Sequence, residues 1–222
     1  MKKCISNILS FLLVSATLSL VSFSQSFTYE NSIVLPTTSH DDDNLVLPAV
    51  LDRDGDPLKI GERYIIENPL IGGGAVYLDN IGHLKCPNAV LQHVPTPQFS
   101  GIGTPVLFVH KSDDADVVRE MSAIYIMFVD RAPLCVNETV WKVDEKQFVV
   151  TGGTIGNESD LFKIMKTDDW VIKDLKNIYK LMHCPSQLGC KDIGRNFENE
   201  YPNLVTVEKN YIPFVFIKAN YA

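Results

Sequence analysis

From Leu45 onward the chain alternates short apolar runs with clusters of Gly, Pro, Asn and Asp. The runs include Ala75–Leu78, Val106–Val109, Ala123–Val129, Val140–Val143, Phe148–Val150, Leu161–Met165, Ile178–Met182 and Phe214–Ile217. They are rich in β-branched and aromatic residues, and no long stretch repeats apolar residues at the helical spacing i, i+3, i+4, i+7. Evenly spaced short strands with turn formers between them predict an all-β barrel or sandwich. Trp141 and Trp170 are expected in its core.

The segment Val50–Ile66 predicts a strand, a tight turn and a second strand. Asp52–Pro57 gathers aspartates that bond nearby amides, a glycine free to take positive φ, and a proline that fixes its own. Leu58 and Ile60 alternate with Lys59 and Gly61, the period of a strand. Asp52, Asp54 and Asp56 superficially match the start of a calcium loop. Gly55 falls one place early, Pro57 follows, and no glutamate closes the loop, so no metal is expected.

Residues 1–26 read as a secretory signal: Met1-Lys2-Lys3 is basic, Ile5–Val21 is apolar, and Ser22, Ser24 and Ser26 offer cleavage positions. No later segment is apolar enough to span a bilayer. Residues 27–44 are polar, with Asp41–Asp43 in a row, and form a poor folding unit. Residues 45–222 are then the folded domain, roughly 178 residues, enough to bury about 70% of the unfolded surface.

The 222-residue chain carries a formal charge of −7. Lys2, Lys3, Glu30 and Asp41–Asp43 precede the domain, which stays net acidic and has no basic tract. Nucleic acid and anionic membranes are therefore not expected partners. Cys4 leaves with the signal, and Cys86, Cys135, Cys184 and Cys190 remain. In an oxidising compartment they make two disulfides; three connectivities are open, and proximity favours Cys184–Cys190 with Cys86–Cys135. Asn157 and Asn137 head glycosylation sequons, and Asn157 sits in the more turn-like context.

No enzyme is expected. Gly72–Gly74 lacks the Lys-Ser/Thr and the helix of a phosphate cradle and reads as a flexible turn. The histidines show no ligand spacing, and no nucleophile elbow is present. No cofactor is called for.

With these features in place, the segment from Val50 to Ile66 resembles the N-terminal signature of the plant Kunitz-type (soybean trypsin inhibitor) family. Val50, Asp52, Gly55, Leu58, Tyr64 and Ile66 fill its defined positions. Gly74–Leu78, Cys86-Pro87, Gly103–Pro105, Leu134-Cys135, Val140–Val143, Gly152–Gly156, Phe162–Ile164, Tyr179–Leu181 and Cys184-Pro185 follow in the family's order. Cys86–His93, Gly61–Ile66 and Ile212–Lys218 are closer still to potato-type cysteine protease inhibitors of the nightshade branch. The resemblance implies a β-trefoil of twelve strands in three pseudo-repeats with two disulfides, acting as a monomer. Asn31-Ser32-Ile33-Val34-Leu35-Pro36 resembles a plant vacuolar sorting signal, with Ser32 where proline is usual. A vacuolar destination is expected, with the extracellular space as the alternative.

The implied function is inhibition of a papain-like cysteine protease by occlusion of its active site. Inhibition of chymotrypsin-like or aspartic proteases is the nearer alternative, and a storage or carbohydrate-binding trefoil the further one. In trypsin-inhibiting relatives the reactive loop lies between the first two cysteines, which corresponds here to Thr104, Pro105, Val106, Leu107, Phe108, Val109 and His110. Leu107 stands where those relatives carry arginine, which weakens trypsin as a target, since an aliphatic side chain leaves the acidic pocket unpaired. The same run also fits a core strand, in which case Asn68–Gly74 or Gly152–Asp160 supplies the contact loop.

Overall fold

The structure is a computed structural model, and it describes residues 46–79, 88–94, 101–112, 115–129, 139–169, 175–198 and 201–219. All lie in the compact unit Asn44–Ala222. The predicted signal and propeptide, Asn31–Pro36, Cys86, Cys135, Asn137 and Trp170 lie outside the described residues.

Twelve strands follow in order: β1 Arg63–Glu67, β2 Val76–Asp79, β3 Ala89–Gln92, β4 Val106–His110, β5 Ile124–Phe128 and β6 Val140–Val143. Then come β7 Val149–Gly153, β8 Phe162–Lys166, β9 Tyr179–His183, β10 Lys191–Glu198, β11 Tyr201–Val207 and β12 Val215–Lys218. A 3-10 turn, Glu158–Asp160, separates β7 from β8.

The pairings define the architecture. Antiparallel ladders join β12 to β1, β1 to β4, β4 to β5, β5 to β8 and β8 to β9. A bridge between Tyr179 and Phe214 closes the ring between β9 and β12. The other six strands form the hairpins β2–β3, β6–β7 and β10–β11. Contacts of Ala89 with Val150, Leu91 with Asn203 and Phe148 with Val205 join each hairpin to the next. A six-stranded barrel capped by three mutually paired hairpins, built from three four-strand units, is a β-trefoil.

Strand alternation explains the core. In β4, Val106 and Phe108 point inward and are fully buried, while Leu107 and Val109 are half-buried. Tyr64 and Ile66 of β1, Ile124, Ile126 and Phe128 of β5, and Phe162 and Ile164 of β8 are buried likewise. Aromatic rings fill the centre: Phe108 lies 5.9 Å from Tyr64 and meets Phe216 edge-on at 5.6 Å. Trp141 packs between Phe128 at 5.4 Å and Phe162 at 6.1 Å, as its predicted core role requires. Buried tyrosines need a partner for the hydroxyl. Tyr64 and Tyr179 meet that need by accepting from the Lys59 and Leu51 amides, each at 2.9 Å.

The expected strand–turn–strand at Val50–Ile66 is realised differently. The turn is present: Asp52, almost wholly buried, accepts through Oδ1 from the amides of Asp54, Gly55 and Asp56 at 3.0, 3.0 and 2.9 Å. Gly55 has φ +96°, which its lack of Cβ permits. Its flanks, however, make isolated bridges, Leu51 with Pro57 and Lys59 with Val117, and the regular ladder begins only at Arg63. Val50 and Leu58 still reach the core and are fully buried, because a bridge orients a side chain as well as a ladder does.

The Cys184–Cys190 disulfide forms as expected and closes the connection from β9 to β10. No helix among the described residues is long and apolar enough to cross a membrane.

Candidate functional site

A protein that acts by entering another's cleft needs a segment that is exposed, apolar enough to be worth burying, and already held in shape. Three stretches were candidates from sequence, and the barrel sorts them.

Thr104–His110 is not a projecting loop. Its residues from Val106 onward are β4, paired with β1 on one edge and β5 on the other. The approach is equally committed. Thr104 donates its amide to Val76 and accepts through Oγ1 from Leu78, and the Pro105 carbonyl accepts from Val129. Pro105, Val106 and Phe108 are buried. A segment whose backbone groups are spent on both neighbours cannot extend into a cleft without breaking the barrel. Leu107, Val109 and His110 remain partly exposed on the outer face, and His110 turns back onto Ser112.

Gly152–Asp160 does project. Thr154 to Ser159 are exposed, and Ile155 is 49% exposed. Asp160 is buried beneath them and accepts from the Thr154 amide at 3.0 Å and from Asn157 Nδ2 at 2.9 Å. Asn157 caps the 3-10 turn by accepting from the Ser159 amide. Glu158 pairs with Lys111 at 2.6 Å, which pulls its carboxyl below the ordinary value and pushes the lysine up. Beside this turn the disulfide-closed loop presents Leu188, 72% exposed, across a groove of about 460 Å³.

Asn68–Gly74, joining β1 to β2, combines all three requirements. Ile71 stands at its tip fully exposed (108%). The loop is closed at its base by the Asn68 amide on the Gly74 carbonyl at 3.0 Å and within by the Gly73 amide on the Leu70 carbonyl at 2.7 Å. Asn68 is buried, and its Oδ1 accepts from the Leu70 amide at 3.0 Å. The glycines form the turn their composition suggests, and the local geometry requires them. Gly72 has φ +75°, which a side chain rarely tolerates. Gly73 is buried so closely that a Cβ would stand 2.4 Å from the Asn68 carbonyl oxygen.

Sequence reasoning missed the residues that brace this loop from across the fold. Arg195 of β10 donates from Nη1 to the Gly72 carbonyl at 3.2 Å and to Gln92 Oε1 at 3.3 Å. Its guanidinium lies 4.9 Å from the centre of the Phe197 ring. Burial pulls the Arg195 pKa below its usual value. Gln92 is itself fully buried. No local signal marks such a brace, since 123 residues separate Arg195 from Gly72.

The fold and these loops define a β-trefoil that carries pre-shaped segments on a rigid barrel. The chain belongs to the Kunitz legume family, described as trypsin and protease inhibitor, whose sequence profile matches residues 50–218. It is 69% identical over 218 residues to cysteine protease inhibitor 8 of Solanum tuberosum, covering 96% of this chain and 98% of that relative. Among solved structures, a Kunitz-type cysteine protease inhibitor from potato superposes with TM-score 0.65 at 38% identity, over 80% of this chain and all of that one. Alocasin, a protease inhibitor from giant taro, superposes with TM-score 0.67 at 28% identity, over 78% of this chain and 99% of that one. These relatives are inhibitors by name.

Proposed function

We propose that this protein inhibits papain-like cysteine endopeptidases by reversible, non-covalent occlusion of the active-site cleft. The observation that carries the reading is the 69% identity, over nearly the whole chain, to a potato protein named as a cysteine protease inhibitor. The geometry agrees with it. A barrel filled by Tyr64, Phe108, Trp141, Phe162 and Phe216 holds its connections in place, so an inserted segment loses little freedom on binding. Among the described residues, several connections present an exposed aliphatic side chain, including Ile71 between β1 and β2, Ile155 between β7 and β8, and Leu188 between β9 and β10. Such side chains suit an apolar pocket and leave the acidic pocket of a trypsin-like protease unpaired.

The protein acts where Asn31–Pro36 directs it, in the plant vacuole or, failing sorting, outside the cell, with Asn157 as the preferred glycan acceptor. Titrating the purified protein against papain, trypsin, chymotrypsin and cathepsin D tests the reading. Papain is expected to be inhibited at submicromolar concentration and trypsin least. Absence of papain inhibition at micromolar concentration overturns it, and selective inhibition of chymotrypsin or cathepsin D reassigns the target class.

A further inference from the structure

We infer that Asn68–Gly74 is the segment that enters the protease, with Ile71 as its anchor and Arg195 as the residue that positions it. The inference rests on the cysteine-protease reading above and assigns that reading to one loop.

Among the described residues, three observations recommend this loop, and the first and third set it apart from the connections that carry Ile155 and Leu188. Ile71 is more exposed than Leu188 or Ile155, at 108% against 72% and 49%, so it has the most apolar surface to gain by burial in a partner. The loop's ends and interior are fixed by main-chain bonds and by buried Asn68, which lowers the ordering cost of binding. The third observation is Arg195. Its guanidinium hydrogen-bonds the Gly72 carbonyl, next in sequence to the anchor, and is held in turn by fully buried Gln92 and the Phe197 ring. A half-buried cation spent on one loop carbonyl fixes the direction in which Ile71 points. The turn at Asn157–Asp160 is instead crowded by the Lys111–Glu158 ion pair, so a charged pair would have to be desolvated for Ile155 to be buried.

An aliphatic anchor on a pre-shaped loop fits a cleft with an apolar specificity pocket, which papain-like proteases offer. Arg195 touches no protease atom in this scheme and acts through Gly72.

The test titrates the purified protein and its variants against papain. Ile71→Asp is expected to raise Ki at least about thirtyfold, the factor equivalent to losing burial of one isoleucine. Leu188→Asp and Ile155→Asp, the same change on the other loops, stay within about threefold, as surface changes away from a contact do. Arg195→Ala raises Ki about five- to tenfold, and that effect disappears in an Ile71→Ala background, since neighbours acting through one another are not additive. A merely structural arginine would instead lower stability and add its effect unchanged.

If the wild type inhibits papain and Ile71→Asp does so equally well, the loop assignment is overturned while the inhibitor reading stands. If Arg195→Ala and Ile71→Ala combine additively, the positioning role is overturned. Failure of the wild type itself to inhibit papain overturns the functional reading and the loop assignment with it.

Discussion

Replacing Asp52 with alanine should unfold the protein at a markedly lower urea concentration, and the structure sets the size of the effect. Asp52 Oδ1 accepts three backbone amides within four residues, at 3.0, 3.0 and 2.9 Å. The carboxylate is almost wholly buried, but Asp54, Gly55 and Asp56 are exposed, so the amides of Asp54 and Asp56 can turn to water while that of Gly55 keeps the Asp52 main-chain carbonyl at 3.2 Å. Each lost bond therefore costs near the net value of about 1 kcal/mol rather than a full desolvation penalty, or about 3 kcal/mol in all. Relief of a buried charge offsets part of this and brings the expected loss to about 2 kcal/mol. Asp52→Asn keeps the acceptor oxygen and should lose about 1 kcal/mol or less. Urea unfolding followed by tryptophan fluorescence reads this as a shift in midpoint at unchanged slope. If Asp52→Ala costs under about 0.5 kcal/mol, or Asp52→Asn costs as much, the capping account is wrong. Millimolar calcium should leave the wild-type midpoint where it is; a rise would show that the aspartates take up the ion.

Other consequences follow from single contacts. Phe108→Ala empties the barrel between Tyr64 and Phe216 and should destabilise by about 3–5 kcal/mol in the same assay. Cys184→Ser with Cys190→Ser opens a short loop and should cost about 2 kcal/mol, read as a lowered midpoint under non-reducing conditions. Gly73→Ala drives a Cβ to within 2.4 Å of the Asn68 carbonyl oxygen, so it should cost about 1–3 kcal/mol and weaken papain inhibition together. Burial holds the His183 pKa below its ordinary value, its Nε2–H bonded to the Ser159 carbonyl at 2.7 Å. The unfolded chain therefore binds the proton more readily, and stability falls as pH drops below the unfolded value near 6.5 and levels off below the folded one. Urea midpoints between pH 7 and pH 5 should show that decline, and His183→Gln should flatten it.

Strands marked by a run of four or more mainly apolar or aromatic residues were legible in the sequence. Val106–Val109, Ala123–Val129, Leu161–Met165 and Ile178–Met182 overlap β4, β5, β8 and β9. Of these, β4 and β8 alternate buried residues with more exposed ones, while β5 and β9 also bury residues on their second face. The hairpin β10–β11 was not legible. Lys191–Glu198 contains Gly194 and several polar residues, and Pro202 sits inside Tyr201–Val207. These two strands are held mainly by seven consecutive pairs with each other, so few of their side chains need be apolar. Ala89–Gln92 was missed because its apolar run is only Ala89, Val90 and Leu91 before Gln92, too short to stand out although all four residues are buried.

The site followed the same logic. The Gly72–Gly74 run announced a turn, but that Gly73 is packed hard on Asn68 depends on a backbone approach that composition does not encode. Arg195 reached Gly72 only through the hairpin pairing that the sequence concealed. The expected reactive stretch Thr104–His110 had the right position between cysteines, yet its Val-x-Phe alternation is that of a barrel strand, and the barrel uses it as one.

The central claim is occlusion of a papain-like active site, and shielding of the catalytic cysteine measures it most directly. Papain mixed with a slight excess of this protein is exposed to iodoacetamide, and alkylation of its active-site thiol is followed by mass spectrometry. The account predicts slow alkylation, competitive loss of peptide hydrolysis, and recovery of the inhibitor uncleaved after dissociation. A thiol alkylated at the free-enzyme rate while the two proteins remain bound would contradict it.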